Sequence, residues 1–179
     1  MAIRILVTGG TFDKTYDEIK GLLAFKATHL DEMLRLGRCH LELTVETLML
    51  IDSLEMTERD RRAIVERCVG CTERRIVVTH GTDTMVETAA ALGRAALTKT
   101  IVLTGAMIPY EFGSSDGLFN LGAALAFAQT LDHGVYVAMN GRFFAWNDVE
   151  KDRAKGLFQS PNAAISAAIS AAKGRPSTA

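Results

Sequence analysis

The stretch Ile3–Thr11, close to the start of the chain, reads IRILVTGGT. Its first five residues form a short, largely apolar run, a pattern typical of a strand that is buried on both faces of a sheet. The Gly9-Gly10 pair after this run predicts a tight turn. Further strands are predicted at 41–49, Arg75–Thr79, Thr100–Thr104 and Gly134–Met139. The sequence therefore predicts a sheet built from short strands, most of them buried.

Helical patterns lie between and after these strands. They are predicted at 28–37, 57–68, 83–96, 116–130 and 161–173. The alternation of strands and helices favours an α/β fold, doubly wound, with a mostly parallel sheet and helices on both faces. Residues 12–27 show no clear periodicity and are predicted as a mobile loop. We expect residues 1–174 to form a single domain, which suits a chain of 179 residues, and residues 175–179 to form a frayed tail.

The charges of the chain are nearly balanced, because 20 Lys and Arg residues stand against 21 Asp and Glu residues. This balance argues against nucleic acid or an anionic membrane as the main partner. No apolar run approaches the roughly 18 residues that a membrane span needs, and the first residues lack a signal-peptide pattern. Three cysteines are too few for a disulfide framework. We therefore expect a cytoplasmic protein, or one whose signal peptide has already been removed.

Polar and small residues follow the predicted strands at the points where each strand ends. They are Thr8 and Thr11, Asp52 and Ser53, Thr82 and Asp83, and Gly105 and Ala106. In open parallel sheets ligands bind beyond the carboxyl ends of the strands, so we expect these residues to converge on one edge. The four histidines are scattered, which predicts no metal site. Phosphate-binding glycine motifs of the dinucleotide-binding and P-loop kinds are missing from the sequence.

Two further motifs have ordinary structural interpretations. His80 lies at the end of a predicted buried strand, where a histidine is more often part of the core or its support than a catalyst. Cys68 and Cys71 form a lone C-x-x-C at a helix end, without the second pair that a zinc site requires. We interpret both motifs as structural.

Five segments, taken together and in order, resemble the signatures of the bacterial-type L-asparaginases and glutaminase-asparaginases. They are Thr8–Thr11, Ile51–Thr57, Val78–Met85, Leu103–Met107 and Ser115–Leu121. The resemblance covers residues 3–158 and implies the flavodoxin-like fold of the family's N-terminal domain. It also implies conversion of L-asparagine to L-aspartate and ammonia, without a metal or an organic cofactor. Because the family normally has a C-terminal domain as well, we expect a short member in which that domain is absent.

The resemblance also implies roles for individual residues in catalysis. Thr11 corresponds to the threonine nucleophile, and Tyr16 is the best candidate for the tyrosine that activates it. The family tyrosine usually lies further along the chain, so Thr15 stays open as a replacement. Thr82, Asp83 and Lys151 correspond to the second triad, in which a lysine held by an aspartate moves protons.

A further set of residues is implied to hold the substrate, namely Gly10, Asp52, Ser53, Thr82, Asp83 and Ala106. Ser53 and the start of the helix after Thr82 offer hydrogen-bond donors to the α-carboxylate. Asp83 offers a countercharge to the α-ammonium, and the Ala106 carbonyl accepts from the amide nitrogen. Leu54 stands where the family commonly has a glutamine, which predicts low glutaminase activity.

Two other classes of function remain open at this point. A non-catalytic module that binds asparagine or aspartate would keep the pocket, although it would not need both hydroxyls and the lysine. A subunit of an amidotransferase acting on aminoacyl-tRNA is disfavoured by the balanced charge. The resemblance further implies a homodimer or a homotetramer.

Overall fold

The computed structural model describes residues 1–162, which form a layered α/β structure. The predicted helix at 161–173 lies almost wholly outside the described residues, and the predicted tail at 175–179 lies outside them entirely. The strands are β1 (Ile3–Gly9), β2 (Lys14–Asp17), β3 (Leu22–Phe25), β4 (Leu43–Ile51), β5 (Arg75–Thr79), β6 (Thr100–Thr104), β7 (Gly134–Met139), β8 (Arg142–Ala145), β9 (Glu150–Asp152) and β10 (Leu157–Gln159). The helices are α1 (Leu30–Leu36), α2 (Glu58–Gly70), α3 (Met85–Arg94) and α4 (Gly117–Thr130).

Six strands form the central sheet in the order β4-β1-β5-β6-β7-β8. The first five are parallel, and β8 pairs antiparallel with β7 at the edge. Taken in chain order, the parallel strands are arranged second, first, third, fourth, fifth, which is the flavodoxin-like order. The predicted fold class is therefore confirmed. Connections leave in opposite directions from β1 and β5, so a crevice opens between the carboxyl ends of these two strands.

Helices cover both faces of the sheet, as predicted. On one face, α2 and α3 bury a cluster that includes Ile64, Cys68, Met85 and Leu92 against the sheet. On the other face, α1 and α4 bury a second cluster that includes Leu30, Met33, Leu121 and Leu125. Burial on both faces explains why β1, β5 and β6 are runs of Ile, Val and Leu rather than alternating patterns.

Most element boundaries agree with the sequence-based expectation. The strands β5, β6 and β7 have the predicted limits, and α2 begins after Thr57 with a capping box to Asp60. The strand predicted at 41–49 is shifted and runs from Leu43 to Ile51. Asp52 and Ser53 therefore follow it directly, at the carboxyl edge of the sheet.

The interpretation of residues 12–27 as a mobile loop is wrong, because β2 and β3 pair there as an antiparallel hairpin. The turn between them is stabilised by Asp17, whose carboxylate accepts hydrogen bonds from the amides of Ile19 (3.1 Å) and Lys20 (3.0 Å). Gly21 completes the turn with a positive φ of 65°. The charged residues that obscured the strand pattern are concentrated in this turn.

The strands β8, β9 and β10 were not predicted. Each has only three or four residues, too few to show a period. No helix within the described part of the chain is both long and apolar enough to cross a membrane.

Candidate active site

The loops after β1 and β5 lie in direct backbone contact at the crevice. Gly10 has a φ of 82°, and a Cβ atom at this position would overlap the backbone of Gly81. Only glycine fits here, because both the conformation and the space exclude a side chain. Thr11 and Thr82 follow these two glycines, so the close contact brings the two predicted catalytic threonines to the same place.

The loop after β4 adds Asp52 and Ser53 to this place. Ser53 is buried, and its hydroxyl lies so close to Gly81 that a Cβ there would stand 2.5 Å away. The Ser53 carbonyl accepts a hydrogen bond from the Thr84 hydroxyl at 2.8 Å. This bond ties the loop to the start of α3.

Asp52 forms an ion pair with Lys14, the first residue of the hairpin strand β2. Its other carboxylate oxygen accepts a hydrogen bond from the Leu54 amide at 2.9 Å. Partial burial alone would raise the pKa of Asp52, but the hydrogen bond from Lys14 and the Leu54 amide hold it below its ordinary value. Asp52 is therefore a carboxylate already paired with a cation.

Thr82, Asp83 and Lys151 form a compact triad. The Lys151 ammonium donates to the Thr82 hydroxyl oxygen at 2.8 Å and to Asp83 Oδ1 at 2.8 Å. The lysine side chain is only 9% exposed, so its charge is shielded from water and depends on these partners. The ammonium thus holds the Thr82 hydroxyl oxygen and the Asp83 carboxylate at one place.

The short hairpin of β9 and β10 delivers Lys151 to the triad. Lys151 pairs with Phe158 across the hairpin, and the Phe158 side chain is buried in the core. Asp148, just before β9, accepts a hydrogen bond from the Ser160 hydroxyl at 2.7 Å. The base of the hairpin is thereby closed, which fixes the position of the lysine.

The loop after β6 carries Ala106, which is fully buried. The carbonyl of its neighbour Gly105 accepts a hydrogen bond from the Asn120 side-chain amide at 2.9 Å. The backbone amide of Met107 donates to the Asp116 carboxylate at 2.9 Å. The side-chain oxygen of Asn120 also accepts a hydrogen bond from the backbone amide of Asn140 at 2.9 Å. These contacts from the start of α4 explain what the segment Ser115–Leu121 does: it holds the Ala106 loop in place.

The hairpin β2–β3 contacts the site through the Lys14–Asp52 ion pair and carries Tyr16 at an exposed position. The Tyr16 amide donates to Glu111 at 2.8 Å, so the hairpin is docked on the segment after β6. Thr15 is buried, and its hydroxyl donates to the Ala24 carbonyl across the hairpin at 3.3 Å. Among the described residues, neither side chain hydrogen-bonds the Thr11 hydroxyl.

Asp13, just before the hairpin, is bonded to Thr28 and His29, which follow it. Its carboxylate accepts from the Thr28 hydroxyl at 2.8 Å and from the His29 amide at 3.1 Å. Burial raises the pKa of Asp13 above its ordinary value, although both hydrogen bonds act in the opposite direction. Asp13 therefore ties together the two ends of the segment that contains the hairpin.

His80 is structural, as predicted. Its Nδ1 lies 2.8 Å from the Gly81 carbonyl, which can only accept, so Nδ1 carries the proton. Nε2 then accepts from the Thr88 hydroxyl at 2.8 Å. Burial lowers the pKa of His80 to about 4, so the ring is neutral near pH 7. The histidine supports the glycine turn that carries Thr82.

Residues 1–162 contain no cluster of three or more His, Cys, Asp or Glu side chains that would hold a metal ion. Burial raises the pKa of the Cys68 thiol to about 12, so this thiol is protonated and unreactive at neutral pH. The C-x-x-C pair belongs to the core cluster beneath α2. Its structural interpretation agrees with this environment.

Two charged residues of the site were missed at the level of sequence. Lys14 pairs with Asp52, and Arg153 donates to the Asp83 carbonyl at 3.1 Å with its guanidinium 3.6 Å from Asp83 Oδ1. Both lie on hairpins whose strands were not predicted, so no pattern placed them near the sheet edge. A search for cations flanking the family's threonines would have found Lys14, three residues after Thr11.

The structure thus combines a flavodoxin-like sheet with Thr11, Thr82, Asp83 and Lys151 near its switch point. The N-terminal domain family of asparaginase matches residues 2–176. The chain belongs to the asparaginase family and corresponds to its N-terminal domain.

Individual relatives agree with this assignment. L-asparaginase of Thermococcus kodakarensis is 33% identical over 172 residues, which cover 90% of this chain and 52% of the relative. Glutaminase-asparaginase of Acinetobacter glutaminasificans is 48% identical over 80 residues, 42% of this chain and 24% of the relative. The solved structure of the thermostable T. kodakarensis L-asparaginase superimposes with a TM-score of 0.79 at 31% identity, covering 89% of this chain and 51% of that one. The chain spans at most about half the length of these relatives.

Proposed function

We propose that the protein is an amidohydrolase that converts L-asparagine to L-aspartate and ammonia. The observation that carries this proposal is the triad in which the buried Lys151 ammonium bonds both the Thr82 hydroxyl and Asp83, each at 2.8 Å. Removing the ammonium from water costs folding free energy, which the pairing with Asp83 offsets. An ammonium held on a hydroxyl oxygen suits a hydroxyl that takes part in proton transfer.

In this proposal Thr11 is the nucleophile. Its hydroxyl oxygen attacks the side-chain amide carbon, and its proton passes to the leaving nitrogen, which departs as ammonia. Water then cleaves the resulting ester, releasing L-aspartate and restoring the hydroxyl. We assign the stabilisation of the oxyanion that forms at each step to backbone amides near Gly10, Thr11 and Thr82.

We assign to Tyr16 the activation of Thr11, and to Thr82 with Lys151 the relay of the proton. The hydroxyl of Thr15 is already bonded to the Ala24 carbonyl within the hairpin, which favours Tyr16 over Thr15. The Tyr16 side chain is exposed, and in this proposal it turns toward Thr11 when substrate binds.

The remaining residues hold the substrate. Ser53 and the start of α3 donate to the α-carboxylate, with Gly10 and Asp52 shaping the same end of the pocket. Asp83 faces the α-ammonium, and the Ala106 carbonyl accepts from the amide nitrogen. The contacts from Asn120 to the Gly105 carbonyl, beside Ala106, and from Thr84 to the Ser53 carbonyl suit a site that binds one small amino acid in a fixed pose.

The second candidate, a binding module without turnover, is separated by one experiment. Purified protein is mixed with L-asparagine, ammonia is measured over time, and binding of L-aspartate is measured by calorimetry. Steady ammonia release supports the hydrolase. Aspartate binding without ammonia release would support the binding module instead.

Assembly and location belong to the same proposal. We propose a homodimer or a homotetramer located in the cytoplasm, with neither nucleic acid nor membrane as a partner. Phe119 and Phe143 are large exposed apolar side chains on α4 and β8, and such surfaces commonly mark contacts between subunits. Sedimentation of the purified protein at micromolar concentration as a monomer alone would contradict the assembly.

A further inference from the structure

Lys14 and Tyr16 lie on the same face of the strand β2. Successive side chains of a strand point to opposite faces, so residues two positions apart share a face. The burial pattern agrees, because Thr15 between them is buried, whereas Lys14 and Tyr16 are not. The Lys14 ammonium also lies 5.9 Å from the ring centroid of Phe25, its cross-strand partner in β3. The contacts of Lys14 therefore show which way the Tyr16 face of the hairpin is turned.

An ion pair holds this face against the candidate site. The Lys14 ammonium bonds Asp52, and Asp52 directly follows β4, a strand of the central sheet. The other carboxylate oxygen of Asp52 accepts from the Leu54 amide at 2.9 Å, which fixes the carboxylate in turn. The Lys14 side chain is only 20% exposed, so water and salt screen this pair less than a surface ion pair.

The hairpin has two other attachments that do not involve the Lys14 side chain. Asp13, just before β2, accepts hydrogen bonds from residues 28–29, and the backbone amide of Tyr16 donates to Glu111 at 2.8 Å. These contacts hold the base and the backbone of the strand, so the hairpin should stay folded when Lys14 is replaced. The ion pair with Asp52 differs from them because it acts on the face that carries the Tyr16 side chain.

The position of this face bears on the rate of the proposed reaction. Tyr16 must bring its phenol oxygen within hydrogen-bond reach of the Thr11 hydroxyl to take its proton. The side chain can turn about its own bonds, but its reach depends on where the backbone of β2 is held. A misplacement of about 1 Å can cost about 10²-fold in rate. A contact that fixes β2 beside the site is therefore expected to affect kcat.

We propose that Lys14 is a positioning residue that acts through Tyr16. Its ion pair with Asp52 holds the Tyr16 face of β2 at the site, so that the phenol reaches Thr11 when substrate binds. Lys14 itself accepts no proton and does not touch the reacting amide. This inference rests on the proposed amidohydrolase function and adds Lys14 to the residues on which its rate depends.

The test is a double-mutant cycle, with kcat and KM measured by ammonia release from L-asparagine. Lys14→Gln should lower kcat about tenfold and leave KM nearly unchanged, and Lys14→Arg, which keeps the positive charge, should restore most of the loss. In a Tyr16→Phe background, Lys14→Gln should have little further effect, because both changes act on the same phenol. The matched control is Lys20→Gln, which removes an exposed lysine from the turn of the same hairpin and should leave kcat unchanged.

Two results would overturn the inference while leaving amide hydrolysis intact. The first is full additivity of Lys14→Gln and Tyr16→Phe, since independent effects would mean that Lys14 does not act through the phenol. The second is a rise in KM with kcat unchanged, which would place Lys14 in substrate binding instead.

If the wild-type protein releases no ammonia, the proposed function fails, and hydrogen exchange then decides whether Lys14 holds the strand. Lys14→Gln should speed the exchange of the backbone amides of β2 about fivefold or more, because the lost pair is more buried than a surface ion pair. Lys20→Gln should leave these rates close to those of the wild type. Equal exchange rates in the two variants would overturn the inference.

Discussion

The ammonium of Lys151 lies 2.8 Å from the hydroxyl oxygen of Thr82, although 69 residues separate them in the sequence. The contact joins the turn after a central strand of the sheet to a small hairpin that follows the edge strand β8. Because the hairpin is fastened by the buried Phe158 and by Asp148, the lysine is held in place before any substrate binds. A preformed contact of this kind favours a role in chemistry over a role in folding alone.

Replacing Lys151 with methionine should abolish most turnover. The variant keeps the aliphatic part of the side chain but removes the charge that acts on Thr82, and loss of a proton-transfer group typically costs about 10²–10⁴-fold in rate. The rate of ammonia release from L-asparagine measures this loss.

The matched control for this change is Lys155→Met, which removes an exposed lysine four residues further along. It should retain near wild-type activity. Equal activity of the two variants, with circular dichroism showing both folded, would remove Lys151 from the mechanism.

Tyr16→Phe should reduce turnover by about 10²-fold or more, because the phenol hydroxyl is the group proposed to take the proton of Thr11. Tyr136→Phe, on β7, serves as the control and should have no effect on kcat. If Thr15→Val reduces kcat and Tyr16→Phe does not, the activating hydroxyl belongs to Thr15.

We expect the selectivity between L-asparagine and L-glutamine to depend on position 54. The Leu54 side chain is 66% exposed and offers no hydrogen bond to a substrate. The wild-type protein should therefore show low activity on L-glutamine relative to L-asparagine. Leu54→Gln should raise the relative activity on glutamine, by about the value of one hydrogen bond, roughly two- to tenfold.

Leu36→Gln is the control for that substitution, since Leu36 is also exposed, at 54%, but lies on α1. A glutaminase activity of the wild-type protein that already matches its asparaginase activity would contradict the assigned role of Leu54. So would an equal rise in both variants.

The buried His80 makes stability depend on pH. Its folded-state pKa of about 4 lies below the ordinary value of 6.5, so the unfolded chain binds the proton first. The stabilisation is fully present above pH 6.5 and is lost as the pH falls toward 4, by about 3 kcal/mol in total. Urea unfolding of the wild type and of His80→Gln at several pH values measures this. Parallel pH profiles for the two proteins would show that His80 does not titrate as described.

Much of the fold followed from the sequence because buried parallel strands leave a clear signal. The runs at Arg75–Thr79 and Thr100–Thr104 are apolar on both faces and end in glycine turns, so their limits were predictable. The hairpin β2–β3 was missed because its charged turn outweighs two strands of four residues each.

The position of a site residue could be predicted only where the strand that carries it could be predicted. Residues at the ends of central strands, such as Thr82 and Ser53, were placed correctly at one edge of the sheet. Lys14 and Arg153 were not, because their position depends on hairpins whose docking is set by tertiary contacts. The pairing of Asp52 with Lys14 is a property of three-dimensional structure that no local pattern encodes.

The central claim, that a threonine at the switch point attacks an amide, is tested most directly by the rate of ammonia release from L-asparagine in Thr11→Ala relative to the wild type. The account predicts a steady rate for the wild-type protein and a decrease of about 10²-fold or more in the variant, with the fold unchanged by circular dichroism. Ammonia release by Thr11→Ala at a rate close to that of the wild type would contradict it.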